Sequence, residues 1–177
     1  MNNHDLLAFD PSYCRANSPT IVRDYERDDL PAILAIEKDT FEYPWTVQDF
    51  EFCMSLDRCG CLVAERDGDV VGYLVYEKRN RTARLLTIAV LDSERRSGVG
   101  SALLRELAAL VGSSRSEIVV VVRERNVVAQ VFLRSVGFRA KWIKRQYYTS
   151  ADDDAYRMTW SLADREGYDP VVSRRAG

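Results

Sequence analysis

Residues 85–101 read Leu85-Leu86-Thr87-Ile88-Ala89-Val90-Leu91-Asp92-Ser93-Glu94-Arg95-Arg96-Ser97-Gly98-Val99-Gly100-Ser101. An aliphatic and β-branched run leads into a turn with two arginines and two glycines. Leu103, Leu107, Leu110 and Val111 then recur at helical spacing. A strand that feeds a helix through such a turn exposes several amide N–H groups at the positive end of the helix dipole. That arrangement binds phosphate, and Gly98 and Gly100, lacking Cβ, let a phosphate approach the backbone. Arg95 and Arg96 add positive charge at the rim. The physics specifies a diphosphate site without naming its ligand.

Outward from this segment the chain alternates strands and helices. Upstream, the pattern predicts a strand over 20–24 and a helix over 29–40, capped by Asp28, with Pro31 in its first turn. A loop follows over 41–45. Thr46 and Asp49 have capping-box spacing and start a second helix. Strands over 61–66 and 70–78 flank Asp67-Gly68-Asp69, a hairpin turn signal, and a third strand covers 83–91. Downstream, Ile118-Val119-Val120-Val121-Val122 reads as a buried central strand. A helix runs from Asn126 to a C-cap at Gly137, and strands over 138–147 and 155–162 close the chain. The order β-α-α-β-β-β-α-β-α-β-β predicts an α/β (α+β mixed) fold: a central mixed sheet of about seven strands with helices on both faces. One domain is expected over 19–163, with a loose arm over 1–18 and a tail over 164–177.

Composition narrows the function classes. The chain has 177 residues and a formal net charge of −2, so no global field points to nucleic acid. The cysteines are Cys14, Cys53, Cys59 and Cys61, without a CxxC, and His4 is the single histidine. Metal-ligand spacing is missing, and reduced packing thiols in a cytoplasmic protein are the expectation. Apolar runs such as 118–122 are too short to span a bilayer, and no signal-peptide pattern opens the chain. No nucleic-acid or membrane partner is expected, and the assembly is a monomer or a homodimer.

Three readings of the Gly-rich turn remain: an ordinary turn with solvated arginines, a dinucleotide fold, and a CoA pyrophosphate loop. Glu124 stands where a ribose-binding acid would follow the next strand, but Leu103 occupies the third glycine position and a meander precedes the motif. Arg95-x-x-Gly98-x-Gly100 resembles the Q/R-x-x-G-x-G/A signature of the GNAT superfamily, and Ile88-Ala89-Val90 before it is similar to that family too. Tyr43-Pro44-Trp45-Thr46, Asn126, Phe132-Leu133-Arg134-Ser135-Val136-Gly137-Phe138 and Arg145-Gln146-Tyr147-Tyr148 resemble its RimI-like branch, which acetylates protein N-terminal α-amines. The match runs in order over about 20–162.

The resemblance implies a GNAT fold, acetyl-CoA as cosubstrate, no metal, and an amine acceptor, either a protein N-terminus or a small amine. It implies that Ile88, Ala89 and Val90 pair with the pantetheine arm, with the Val90 N–H as oxyanion donor. Arg95, Arg96, Ser97, Gly98, Val99, Gly100 and Ser101 would hold the pyrophosphate, and Asn126 would contact the cofactor. Tyr43, Pro44, Tyr147 and Tyr148 would line the acceptor groove.

Two positions depart from the branch pattern. Val121 stands where its glutamate base is expected and Leu133 where its tyrosine acid is expected. An α-amine with a pKa of about 7.7–8.0 is partly neutral at pH 7, whereas a lysine near about 10.4 is not, so an α-amine or small amine is easier to reconcile with these residues. Glu77, Glu124, Tyr147 and Tyr148 are the replacement candidates for proton transfer. The stretch 139–145, rich in Arg and Lys, reads as an alternating strand with one wet face. The first reading is thus an enzyme in which the amine attacks the thioester directly, without a catalytic cysteine. The alternative is a catalytically weakened acyl-CoA-binding regulatory module.

Overall fold

The computed structural model describes residues 18–111, 117–148 and 153–161, with the side chains of Tyr148 and Asp153 outside that description. The arm expected over 1–18, with His4 and Cys14, is described only at Ser18, and the expected tail lies outside the described residues. Within them are helices α1 (Leu30–Thr40), α2 (Val47–Met54), α3 (Val99–Val111) and α4 (Val127–Ser135). The strands are β1 (Ile21–Asp24), β2 (Cys59–Arg66), β3 (Asp69–Arg79), β4 (Thr82–Val90), β5 (Glu117–Arg123), β6 (Arg139–Tyr148) and β7 (Asp153–Ser161). They form one sheet in the order β1-β2-β3-β4-β5-β7-β6. All neighbours are antiparallel except β4 and β5. No helix among the described residues is long and apolar enough to cross a membrane.

Strand periodicity divides the core in two. On β3, Leu74 and Tyr76 pack toward α3 and α4, while Tyr73 and Val75 pack toward α1 and α2. On β4 that parity switches part-way. Ala83 and Leu85 join the α3/α4 side, and then Ile88 and Val90 do. The cause is a bulge: Tyr76 pairs with Leu85 and Val75 with Thr87, which leaves Leu86 extra. The bulge turns Ala89 toward α1 and α2 and sends Ile88 and Val90 to the other face.

The same place ends the β4–β5 ladder. Parallel pairing runs from Thr82 with Glu117 to Leu85 with Val120 and stops. β4 continues to Val90 and β5 to Arg123, where β5 is still paired with β7. A wedge therefore opens between residues 86–90 and 121–123, lined on both sides by strand backbone.

Two expectations need correction. Asp28 does not cap α1: residues Arg27–Asp29 form a 3-10 turn whose capping box joins Glu26 and Asp29. Asp29 wins because Arg23 also grips its carboxylate with two 2.8 Å hydrogen bonds. Leu110 is not on the buried stripe of α3 but 43 % exposed, and Leu104 joins Leu103 and Leu107 instead.

Candidate active site

The segment after β4 folds back on itself before α3. Asp92–Glu94 form a 3-10 turn, Arg96 takes the left-handed conformation (φ 65°), and Gly98 follows at φ 93°. Gly98 has open space where a Cβ would point. The Ala102 amide donates to the Gly98 carbonyl (2.9 Å), which leaves the amides of Val99, Gly100 and Ser101 without an intrahelical acceptor. Left-handed residues beside a helix start form a concavity of N–H groups suited to an anion. Arg96 is exposed above it, and Arg95 lies along it, bonded to the Val90 carbonyl (3.3 Å) and to Asp92 (2.8 Å).

Gly100 has a second reason beside the one its sequence suggests. A Cβ there would lie 2.9 Å from Phe132 Cζ, so this glycine also admits the α4 ring against α3.

Beneath the turn lies an ion pair that sequence reasoning missed. Arg66, at the end of β2, donates from Nη1 to Glu94 Oε2 (2.7 Å), from Nη2 to the Ser97 carbonyl (3.1 Å) and from Nε to Thr20 Oγ1 (2.8 Å). Both charged side chains are buried. One guanidinium thus ties the start of the sheet to the main chain of the Gly-rich turn. The only signal was charged residues at strand and turn positions, which ordinarily face solvent.

The wedge supplies the second element. The Leu91 amide donates to the Val71 carbonyl (2.9 Å). Alternation in an antiparallel ladder then points the Ile88 and Val90 N–H groups away from β3, into the wedge. Asn126 caps α4 at the far side, its Oδ1 accepting from the Ala129 amide (3.0 Å), so only its NH2 is left to meet a ligand. Val121 lies on β5 between Val120 and Val122, which face α3 and α4, and so presents its side chain to the α1/α2 side. Leu133 is 2 % exposed within the core.

A groove of about 550 Å³ opens on that side, beneath the α1–α2 loop. Its lining includes Tyr43, Pro44, Trp45, Glu77, Arg84 and Leu86. Trp45 is anchored edge-on to Phe50 (6.4 Å), while Tyr43 stays 72 % exposed with the Arg123 guanidinium 5.9 Å from its ring. Tyr147 is not in that lining but touches one of its residues, its hydroxyl accepting from Arg84 Nη2 at 3.5 Å and its ring 4.6 Å from Lys144 Nζ. The structure therefore brings Tyr43, Pro44 and Glu77 to one groove, with Tyr147 joined to it through Arg84. Glu124 is exposed on the β5–α4 loop and absent from the groove lining, and the side chain of Tyr148 lies outside the described residues.

Glu77 is not free to take a proton. Burial alone would push its carboxyl up, but hydrogen bonds from Arg58 (2.7 Å) and Arg79 (3.0 Å) outweigh that and hold it below its ordinary range. Nor do Cys53 and Cys61 offer a nucleophile: burial and the neighbouring Cys59 push the Cys53 thiol up to about 12, and burial pushes Cys61 up as well. Behind the groove, Glu37 is fully buried. Burial raises its carboxyl, partly offset by the Tyr73 hydroxyl and the Trp45 amide. Among the described residues no group of three or more His, Cys, Asp or Glu side chains is placed to hold a metal.

The Acetyltransferase (GNAT) family matches this chain over residues 22–138, more than half its length. The chain belongs to the GNAT acetyltransferase family. An uncharacterized N-acetyltransferase of Methanocaldococcus jannaschii is 32 % identical over 136 residues, covering 75 % of this chain and 86 % of the relative. The ribosomal protein bS18-alanine N-acetyltransferase of Escherichia coli is 28 % identical over 141 residues, covering 78 % and 95 %. A crystal structure of the ribosomal-protein-S18-alanine N-acetyltransferase from Escherichia coli superposes with a TM-score of 0.70 at 26 % identity, covering 81 % of this chain and 94 % of that one. The GNAT protein is an acetyl-CoA-dependent N-acetyltransferase that transfers acetyl to an amine. The reading of a non-catalytic acyl-CoA-binding module is not favoured.

Proposed function

We propose that the acceptor is the α-amine of a protein N-terminus, entering the groove between the Tyr43-Pro44 loop and Tyr147. One observation carries this reading. Leu86, where β4 and β5 part, lines the groove, so an extended chain lying in it would bring its terminal amine to the wedge. The relatives named for alanine N-acetylation of a ribosomal protein support the same acceptor class.

In this reading the donor's diphosphate sits on the amides of Gly98, Val99, Gly100 and Ser101, flanked by Arg95, Arg96 and Ser97. Its pantetheine lies along Ile88, Ala89 and Val90, with the Asn126 amide nearby. The amine nitrogen attacks the thioester carbonyl carbon, and the developing oxyanion is met by the Val90 N–H. The carbon–sulfur bond breaks and the sulfur leaves as thiolate. The proton of the attacking nitrogen passes to water, because Val121 and Leu133 carry no proton and Glu77 is held ionised by two arginines. Catalysis rests on positioning and oxyanion stabilisation. Rate should therefore rise with pH through the range where an α-amine deprotonates, about 7.7–8.0.

The test is thiol release from acetyl-CoA with peptides bearing a free α-amine, the same peptides N-terminally blocked but carrying lysine, and polyamines. Turnover of the free-terminus peptides alone is expected. Equal or faster turnover of lysine in blocked peptides refutes the acceptor assigned.

A further inference from the structure

We infer that the acceptor carries a carboxylate close to its reactive amine, and that Arg84 selects it. The inference rests on the acceptor groove proposed above and adds the chemistry of what fills it.

Arg84 lies on β4 directly opposite Glu77 on β3, so the two side chains share the groove face. Such a pair ordinarily forms a cross-strand ion pair. Here Glu77 is already taken: Oε1 accepts from Arg58 (2.7 Å) and Oε2 from Arg79 (2.9 Å to Nη2, 3.0 Å to Nε). Two guanidinium groups thus hold the Glu77 carboxylate, and Arg84 is a third arginine on the same face. Arg84 is left half-buried, with no carboxylate within 4.0 Å among the described residues and only the Tyr147 hydroxyl at 3.5 Å. A guanidinium is a rigid fork that matches a carboxylate in two parallel bonds, and a single long bond to a phenol leaves most of its donors unused.

Its position says which part of a substrate it reads. The last β4–β5 pair is Leu85 with Val120, one residue beyond Arg84. Arg84 therefore stands where the groove meets the closed end of the wedge, on the acceptor's side of the Val90 N–H. One or two extended residues span about 3.3–7 Å, within reach of this side chain. Two sources supply the chemistry: an Asp or Glu side chain at the second or third residue of a protein N-terminus, or the α-carboxylate of a free amino acid. The same cation disfavours lysine or arginine at those positions.

The experiment uses the full chain, acetyl-CoA and three peptides that begin with Ala and differ only at residues two and three: Glu-Glu, Gln-Gln and Lys-Lys. Free glutamate and alanine, each against its amide, form the second arm. The acidic peptide, or the free amino acid over its amide, should lead in kcat/KM by about tenfold or more, mostly through KM. Arg84→Gln should bring that ratio near one, Arg84→Lys should keep part of it, and Arg84→Glu should reverse the order so that Lys-Lys leads. Turnover of all three peptides at equal rates, or a lead for Lys-Lys in the unaltered protein, overturns the inference and leaves N-acetyl transfer standing. No turnover of any amine removes the groove assignment and this inference with it. The unaltered protein decides the matter even if an Arg84 variant fails to fold.

Discussion

The proposed cofactor corner and the proposed acceptor groove flank one wedge and are built by different means. The corner is main chain: a left-handed turn, a helix start and two strand amides. It is locked from below by the buried Arg66–Glu94 pair and the Arg66 bond to the Ser97 carbonyl. The groove is side chain: Tyr43 from a loop, Arg84 and Glu77 from the sheet, with Tyr147 from the end of β6 joined through Arg84. Its rim includes Phe52, 69 % exposed. A site that reads a ligand through backbone amides needs a fixed backbone and tolerates many side chains. A site that reads through side chains can change its ligand while the backbone stays put.

That contrast is broken most severely at Gly98. Gly98→Glu puts a side chain and a negative charge into the open space above the turn, at a φ that L residues resist. Acetyl-CoA affinity should fall by about a hundredfold or more, measured by calorimetry. Undiminished heat of binding would sink the whole corner.

Arg66→Met leaves Glu94 buried and unpaired, at an expected cost of about 3–5 kcal/mol in urea unfolding. Arg66→Met with Glu94→Leu should recover most of that stability, because a buried ion pair is replaceable by apolar packing. Acetyl-CoA binding should stay weak in the double variant, because the Ser97 carbonyl has lost its donor. If affinity returns together with stability, the turn is shaped by the fold at large and not by Arg66.

At the other end, Thr46→Ala removes the side chain that accepts from the Asp49 amide (3.2 Å) and caps α2. About 1 kcal/mol of stability should be lost. The acceptor KM should rise while acetyl-CoA affinity holds. Coupled loss of both affinities would erase the distinction between the two regions.

The smallest effect is expected at Glu37, which burial raises above the ordinary carboxylate range. A raised folded-state value means the folded protein holds the proton more tightly. The stability it contributes is present below the unfolded value of 4.5 and is lost as pH rises through the folded one. Glu37→Gln should remove that loss, raising Tm at pH 7 by roughly 2 °C and leaving it unchanged in acid. A gain of equal size at every pH would assign the effect to packing instead.

How much of this was legible beforehand follows the same division. The Gly-rich turn, the Thr46–Asp49 cap, the Asp67-Gly68 hairpin and the β-branched run of β5 were all readable, because each depends on neighbours within a few residues. Gly100 was readable as a glycine but not for its second reason, since Phe132 lies on another helix. Glu77 showed its place near the groove but not its two arginine partners, one of which comes from β2's approach at Arg58. Arg66, Glu94 and Arg84 gave no local sign, because a charged residue in a strand or turn looks solvated until its surroundings are known.

By itself, then, the amino-acid order determined the sequence of elements and the Gly-rich turn, since hydrogen-bonding main chain and short-range periodicity are encoded in contiguous residues. Only the tertiary structure decided the Leu86 bulge, the point where β4 and β5 separate, and which carboxylates each arginine reaches. Those depend on strand register and on side chains converging from segments 19 to 63 positions apart, as Glu77 does with Arg58 and Tyr147 with Arg84. Coulombic and packing energies act through space, and distance in space is the quantity a linear sequence leaves open.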